Sequence, residues 1–492
     1  VRLYDFEERG RGIVRPVLWT ARNGSTVSGR VWATRSGPAK RPVVVITNGS
    51  IQAPEQIYWW AAQTLAKQGY VVLTWDPHQQ GRSDSLGEGA DVNEGSPSQT
   101  EGNGFYDWTQ DAIDFVLSTP SQPFCPRPSR SGTSHCAKQQ RRVASGKNAA
   151  FNPYWQMIDG SRIGLAGHSY GAAGVSWMGQ QDGRVDAVVA WDNLCDPSLP
   201  TTSITDREDN GLGASCLKGG VGNPPGHRVP SLGITADTFT GMESRSSDPD
   251  PLEQSAGSRA FSKSGVDTGS IAIRGGTHFE FSYLPSTTFR ATLRGMDLSA
   301  WYTTAWMDKY VKGDKTADAR LLSTRWRSDI GDREVDPEGG GNLFSFYFRS
   351  RLDLRRNDGS RFICEDLRTG CSGMVSDDGW PERYSYLAIA TSKDGAPLPI
   401  AGRRTGSSRT CLSRRTIRAT VKRRRGMRVR RVVATAGRKR VGTSRGRRIT
   451  VRLAGLPRGT VRVTLKITGR RAGRTVRTTQ RRTYRLCAAK RR

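Results

Sequence analysis

One short stretch, residues 162 to 175, constrains the fold of this chain more than any other feature. It starts with a β-type run from Arg162 to Ala166, continues as Gly-His-Ser-Tyr-Gly at 167–171, and ends in small residues. Glycines two positions before and after Ser169 permit a sharp turn from a strand into a helix, which a larger side chain would obstruct. The pattern predicts a strand, a tight turn and a helix in a layered α/β fold.

Ser169 is the candidate nucleophile because of its place in that turn. A hydroxyl at a helix N-terminus lies where the helix dipole stabilises the negative charge that develops in acyl transfer. The same glycine spacing recurs around Ser444, at Gly442 and Gly446, but there it lies between basic runs in a predicted turn between strands. We therefore assign the nucleophile to Ser169 and not to Ser444.

A serine nucleophile needs a base, and the chain contains five histidines. His278 follows the apolar run Ile271–Ile273 and two glycines, so a flexible loop can carry its imidazole over the edge of a sheet. Elimination favours His278, because the others lie in the serine turn, in a turn-rich segment, in the insertion at 119–158, or in a connection before a strand. These four are His168, His78, His135 and His227.

The third residue of such a site is an acid that orients the imidazole. Asp237 is the first choice, because it ends the predicted strand 229–236 and lies between Ser169 and His278 in the chain. Asp192, directly after the apolar run Val185–Trp191, is the alternative acid, and Asp196 is a weaker rival.

Two backbone N–H groups would stabilise the oxyanion. One belongs to Tyr170, directly after the nucleophile. The other follows the β-branched run from Arg41 to Thr47, which ends in Asn-Gly, and we assign it to Ser50 or to its neighbour Ile51.

These residues resemble the α/β-hydrolase superfamily. The strand-like segment 69–76 with Gly-Arg-Ser-Asp at 81–84 is similar to the fourth strand and following turn of that family, and residues 301–312 are similar to its last helix. The resemblance covers roughly residues 1 to 330, with one departure at Asn48-Gly49, where many members carry His-Gly. It implies a mostly parallel eight-stranded sheet with helices on both faces.

The resemblance also implies hydrolysis of an ester, thioester or amide. Our leading hypothesis is a serine hydrolase without metal or other cofactor that cleaves a small-molecule or lipid carboxylic ester through a Ser-Asp-His triad. A peptidase or amidase would share the acyl-enzyme chemistry, since only the pocket selects the bond. A binding protein with an inert hydrolase domain is a third hypothesis. We predict a catalytic domain at 1–335, a β-containing extension and linker at 336–400, and a basic domain at 401–492.

The formal charge of +31 lies entirely in the last 92 residues. Residues 401–492 contain 33 Lys and Arg and no Asp or Glu, so the rest has 76 − 33 = 43 basic against 45 acidic residues. Alternating apolar and polar residues at 449–453 and 461–467 predict a hairpin with one cationic face, in a small all-β, sandwich-like domain. Such a face suits an anionic cell-wall polymer, phospholipid head groups, extracellular DNA or an acidic polysaccharide. Tyr484 is its only aromatic residue, which argues against a sequence-specific nucleic-acid reader.

The eight cysteines fall into neighbouring couples, which favours disulfide bonds and an oxidising compartment. Cys411 and Cys487 bracket the basic segment, which resembles the Cys-bracketed, Arg-rich C-terminal modules of secreted actinobacterial proteins. The sequence contains no apolar run long enough to cross a bilayer, and it starts at Val1. We therefore expect a secreted or cell-surface protein whose signal peptide has been removed. The couples are Cys125 with Cys136, Cys195 with Cys216, Cys364 with Cys371, and Cys411 with Cys487.

Overall fold

A computed structural model of the chain divides it into two compact units, Val1–Leu398 and Pro399–Arg492. The described part of the predicted extension at 336–400, residues 340–375, belongs to the first unit. The structure describes residues 6–7, 12–50, 53–85, 102–201, 215–217, 219–220, 222–239, 249–282, 291–329, 340–375, 415–421, 427–437, 439–454, 456 and 459–486.

The first unit alternates strands and helices over most of its length. Its strands are β1 Gly12–Thr20, β2 Thr26–Thr34, β3 Arg41–Thr47, β4 Val71–Trp75, β5 Ile158–His168, β6 Val185–Trp191, β7 Asp196–Thr201, β8 Ser215–Leu217, β9 Ser231–Thr238, β10 Thr268–Thr277, β11 Arg351–Arg355 and β12 Arg361–Cys364. Its α-helices are α1 Trp59–Lys67, α2 Gly102–Leu117, α3 Cys136–Ala144, α4 Tyr170–Gln181, α5 Ala256–Lys263, α6 Leu293–Met307 and α7 Ala317–Leu321.

Ten of these strands form one mixed sheet in the order β1-β2-β4-β3-β5-β6-β9-β10-β11-β12. The six central strands, β4 to β10 in that order, run parallel to one another, and the two strands at each edge pair antiparallel. The prediction of an α/β unit with a mostly parallel sheet is confirmed. The sheet has ten strands rather than eight, because β11 and β12 extend it beyond β10.

Helices cover both faces of the sheet, which explains the continuous apolar runs of its central strands. All seven residues of β3 are buried. Val43 and Val45 point into the core that α2 and α4 cover, and α1 and α6 pack together beside the sheet. The connection from β5 directly into α4 places Ser169 at the carboxyl edge of the parallel strands.

Three of the four expected cysteine couples are joined as disulfides in the structure: Cys125–Cys136, Cys195–Cys216 and Cys364–Cys371. The prediction of disulfide bonds is confirmed for these pairs. Cys411 and Cys487 lie outside the described residues. In the part of the chain that the structure describes, no helix is both long enough and apolar enough to cross a membrane.

The second unit is all β in its described residues, as predicted. The order of its larger sheet is β15-β14-β17-β18, and β13 pairs with β16 in a separate two-stranded sheet. The two sheets share one hydrophobic core, to which Val451, Val432 and Leu465 contribute. Its strands are β13 Thr416–Thr420, β14 Arg428–Ala436, β15 Lys439–Ser444, β16 Arg448–Arg452, β17 Gly459–Arg471 and β18 Arg474–Leu486.

The predicted hairpin between residues 449–453 and 461–467 is wrong. The first run lies in β16, which pairs with β13, and the second lies in β17, which pairs with β14 and β18. Both runs bury their apolar side chains, but they do so from different sheets across the shared core. Alternation identifies a strand with one buried face, whereas it does not identify the strand's partner.

Candidate active site

The turn from β5 into α4 holds Ser169 in a backbone conformation that residues other than glycine rarely adopt. Its φ is 58° and its ψ is −122°, and it forms the N-cap of α4. The Ser169 N–H donates to the Trp191 carbonyl at 2.9 Å, so the neighbouring strand β6 fixes the turn. A serine held at such angles is a feature of functional sites, where the surrounding structure supports the strain.

The two glycines of the turn are required by close backbone contacts. A Cβ atom on Gly167 would collide with the Gly171 carbonyl, and one on Gly171 would collide with the carbonyls of Thr47 and Asn48. Both φ angles are ordinary, so space rather than conformational freedom excludes larger residues here. This close approach also brings the loop after β3 against the nucleophile.

The structure brings Ser169, His278 and Asp192 together in one hydrogen-bonded chain. His278 Nε2 lies 3.0 Å from Ser169 Oγ, and His278 Nδ1 lies 2.5 Å from Asp192 Oδ2. Because the carboxylate can only accept, Nδ1 carries the proton and Nε2 is left to accept from the serine hydroxyl. Asp192 and His278 are 3% and 4% exposed, while Ser169 is half-buried. This arrangement suits proton transfer from Ser169 to His278.

Asp237, the first choice for the acid, does not contact His278 in the structure. Its Oδ2 accepts from the Gly275 N–H at 2.7 Å, three residues before the histidine. Burial raises the pKa of Asp237, and the Ser345 hydroxyl and the Gly275 N–H oppose that shift. The Asp237 carboxylate therefore stabilises the backbone at the start of the loop that carries His278. Asp192, the alternative acid, occupies the position that we expected for Asp237.

Asp192 reaches His278 because it ends β6, directly beside the strand that carries the nucleophile. Its second oxygen is also held, since Thr235 Oγ1 donates to Asp192 Oδ1 at 2.6 Å. Thr235 lies in β9, between the strands that carry Asp192 and His278. The sequence analysis did not identify Thr235, and a threonine inside a buried strand gives no distinctive signal of such a role.

A second set of hydrogen bonds, from Gly49 through Tyr58 and His168 to the backbone of His278, lies behind the triad. His168 Nε2 is 2.7 Å from the His278 carbonyl, and His168 Nδ1 is 2.7 Å from the Tyr58 hydroxyl. The carbonyl can only accept, so His168 Nε2 is protonated and Nδ1 accepts from Tyr58. The Tyr58 hydroxyl in turn accepts from the Gly49 N–H at 3.1 Å.

The neutral state of His168 fits this assignment of donors and acceptors. Burial, together with the nearby His278, lowers the pKa of His168 to about 3. The same burial raises the pKa of Tyr58 above its ordinary range, so that its hydroxyl stays a donor. The set joins the loop after β3 to the backbone of His278. The sequence analysis set His168 aside as a base and did not find this role.

The loop after β3 lies close to the nucleophile. A Cβ atom on Gly49 would come within 3.1 Å of Ser169 Cβ. Side chains of neighbouring segments hold this loop: Gln80 Nε2 donates to the Gly49 carbonyl at 2.8 Å, and Asn48 Nδ2 donates to the Ala53 carbonyl at 2.9 Å. Ser50 directly follows Gly49, and Ile51 lies outside the described residues. Tyr170 begins α4 directly after Ser169. Ser50 thus follows the glycine that lies against the nucleophile, and the two oxyanion donors stay predictions.

Aromatic rings surround the His278 imidazole. Phe239 stacks on it with ring centroids 4.5 Å apart, and Phe279 meets it edge-on at 5.3 Å. Phe239 is 38% exposed, so part of its ring is open to solvent. On the helix side, Tyr170 stacks on Phe105. The surroundings of the reacting groups are thus largely apolar.

The remaining histidines lie away from Ser169. His78 is buried and stacks on Trp108, and burial lowers its pKa to about 4. His227 contacts Asp196 and Ser264 at 2.9 and 2.8 Å, which accounts for Asp196, the weaker rival acid. His135 is buried next to α3.

Comparison with models of known protein families and with curated protein sequences finds no match to this chain. The geometry of the site therefore carries the functional argument.

Proposed function

We propose that this protein is a serine hydrolase of the α/β-hydrolase type that cleaves carboxylic esters, including lipid esters. The observation that carries the proposal is the chain of contacts from Ser169 through His278 to Asp192, at 3.0 and 2.5 Å. The strained turn at Ser169 and the strand order of the central sheet support it. A structural role explains each contact alone, but it does not explain why an acid, an imidazole and a partly exposed hydroxyl form one continuous chain of contacts.

In the proposed reaction, Ser169 Oγ attacks the ester carbonyl carbon while its proton passes to His278 Nε2. Asp192 stabilises the imidazolium through Nδ1. The N–H groups of Tyr170 and Ser50 would receive the oxyanion. Collapse of the tetrahedral intermediate breaks the bond to the alcohol oxygen, which takes the proton from His278. Water, deprotonated by His278, then attacks the acyl-enzyme, and the carboxylic acid leaves as Ser169 regains its proton.

The apolar surroundings favour an ester with an apolar acyl or alkyl group. Phe239 and Phe279 border the His278 imidazole, which gives its proton to the leaving group in the proposed reaction. Aromatic faces bind hydrocarbon chains without demanding hydrogen bonds, which fits ester or lipid substrates. A peptidase or amidase, the alternative on the same triad, would need polar groups that hold a peptide backbone.

Labelling with a fluorophosphonate probe, followed by mass mapping, tests the proposal. We expect one adduct, on Ser169, and none in the Ser169→Ala variant. Ser444→Ala is the matched control, because Ser444 has the same glycine spacing but ends strand β15, and its hydroxyl donates to the Arg448 carbonyl. No adduct on folded wild-type protein would refute the serine hydrolase and favour the non-catalytic binding protein.

Paired substrates with the same acyl group then separate the bond types. We expect turnover of p-nitrophenyl esters over a range of acyl lengths and much slower turnover of the corresponding p-nitroanilides. Faster cleavage of the anilides would identify an amidase or peptidase instead.

We also propose that residues 401–492 attach the enzyme to a polyanionic surface outside the cell. Their 33 basic residues stand without a single acidic one, and the described part of this region is a folded all-β unit. The three disulfides support an oxidising, extracellular location.

A further inference from the structure

The hairpin of β17 and β18 has one face that is made only of cations and threonines. Val463, Leu465 and Ile467 of β17 point into the core of the unit and are buried. The side chains between them therefore point outward, together with their cross-strand partners in β18. We call this outward side, from Arg462 to Arg470 and from Thr475 to Thr483, the hairpin face.

The strand register pairs each cation on the hairpin face with a threonine. Five successive outward pairs contain one Lys or Arg and one Thr, and the cation alternates between the two strands. All five cations are exposed. The pairs are Arg462 with Thr483, Arg481 with Thr464, Lys466 with Thr479, Arg477 with Thr468, and Arg470 with Thr475.

This alternation sets the spacing of the positive charges. Successive cations are diagonal neighbours on adjacent strands, and such neighbours lie about 7–8 Å apart. Each step advances two residues along the hairpin, or about 7 Å. The five cations thus form a regular row about 27 Å long, with hydroxyl groups between them.

An extended phosphodiester chain has a matching repeat. In a 1,3-linked glycerol phosphate polymer, six single bonds separate successive phosphorus atoms, twice the three-bond span of one extended peptide residue, so the repeat is about 7 Å. Each phosphate can then meet one Lys or Arg side chain, and a threonine hydroxyl can donate to a second oxygen. A row of alternating cations and hydroxyl groups suits a chain whose contacts are all with its backbone.

Two further observations limit the class of partner. Residues 401–492 contain no acidic side chain that would repel a polyanion. Tyr484, their only aromatic residue, packs against the core and not on the hairpin face. The face therefore offers nothing on which bases would stack, which disfavours single-stranded nucleic acid.

We infer that the hairpin face binds a linear glycerol phosphate polymer, with one phosphate at each of its five cations. This inference rests on the proposed anchoring role of residues 401–492 and assigns that role to one surface and one ligand chemistry. The sheet of β13 and β16 has the same Arg–Thr alternation over three pairs only. Its row is too short to align five phosphates.

Binding of the full chain to poly(glycerol phosphate) tests the inference, with affinity measured between about 50 and 300 mM salt. The test variant replaces Lys466, Arg477 and Arg481 by Ser. We expect affinity to fall on the order of 100-fold. We also expect the slope of log K against log salt to fall in magnitude by about 2, because three phosphate contacts are lost.

A matched variant removes three exposed cations elsewhere in the same unit: Lys439, Arg445 and Arg447, each replaced by Ser. We expect it to keep most of the affinity and slope. Equal losses in both variants would overturn the inference and leave only a dependence on net charge. Tighter binding of oligothymidine than of poly(glycerol phosphate), at equal phosphate number, would overturn the choice of polymer.

The same samples separate this inference from the functions on which it builds. If wild-type protein does not bind the polymer at low salt, the anchoring role fails together with the inference. If it binds and the hairpin variant binds equally well, only the inference fails. Fluorophosphonate labelling of Ser169 should proceed at the wild-type rate in both variants, which shows that the first unit remains folded.

Discussion

Replacing Asp192 by Asn should almost abolish the reactivity of Ser169. Thr235 Oγ1 donates to Asp192 Oδ1, so an asparagine would keep its carbonyl oxygen towards Thr235 and turn its amide nitrogen towards His278. That nitrogen donates, and His278 Nδ1 would then have to accept. The proton would move to Nε2, which could no longer accept from Ser169. In addition, the imidazolium would lose its buried carboxylate.

Loss of the correct tautomer in a serine triad costs about 10⁴-fold in rate. We expect Asp192→Asn to lower the fluorophosphonate rate constant and kcat/KM about 10³- to 10⁴-fold, or about 4 to 5.5 kcal/mol of transition-state free energy. Asp237→Asn is the matched control, because its amide oxygen can still accept from the Gly275 N–H. We expect a loss of less than about tenfold there, since one charge-assisted hydrogen bond becomes a neutral one.

The two variants also decide between the acids. If Asp237→Asn cost about 10³-fold or more and Asp192→Asn cost less than tenfold, the assignment from the structure would be refuted. Thermal unfolding of both variants must accompany the rates, because a misfolded site would also lose activity. Since both substitutions preserve shape, comparable melting temperatures are expected.

Three further perturbations follow from the contacts around the site. Tyr58→Phe removes the hydroxyl that joins Gly49 to His168, so we expect a loss of about 1–3 kcal/mol in unfolding free energy and a ten- to hundredfold lower kcat with little change in KM. The control is Tyr70→Phe, which also loses a buried hydroxyl, here one bonded to Asp308, and should lose similar stability at unchanged kcat. An equal loss of kcat in the Tyr58 and Tyr70 variants would contradict a positioning role for Tyr58. Gly171→Ala should lower the free energy of unfolding by about 3 kcal/mol, because its Cβ atom would collide with the carbonyls of Thr47 and Asn48. Gly183→Ala is the control: nothing lies near its Cβ position, so this variant should unfold like the wild type. Burial raises the pKa of Glu280 to about 7 from an ordinary 4.5, so its contribution to stability is present below pH 4.5 and is lost as the pH rises to 7. In denaturant unfolding, the free energy of unfolding of Glu280→Gln should thus match that of the wild type at pH 4.5 and exceed it by about 3 kcal/mol above pH 7. A difference that does not change with pH would refute the role of the Glu280 carboxyl.

The local turn at Ser169 was determined by the sequence alone. Its glycines, the preceding strand and the following helix are neighbours in the chain, so their constraints act within a few residues. His278 followed from the small number of histidines and from the loop that carries it. The charge of the second unit, and the alternation that makes its strands, could also be recognised without coordinates.

The choice between Asp192 and Asp237 was decided by the tertiary structure. Both residues end buried strands, and nothing in the local sequence shows which carboxylate faces an imidazole from a third strand. That depends on the strand order β6-β9-β10 and on the direction of each side chain at the strand end. The order of residues in the chain favoured Asp237, whereas in the structure the Asp237 carboxylate accepts from the Gly275 N–H.

The same limit applies to the other contacts that the sequence did not reveal. Tyr58 and His168 are 110 residues apart, and the partner of β16 is β13 rather than the next strand in the chain. The alternation of Arg and Thr along β17 and β18 is visible in the sequence, but only the register shows that each of the five cations on the hairpin face lies opposite a threonine. A local pattern defines which side of an element is buried, whereas long-range packing selects what lies opposite it.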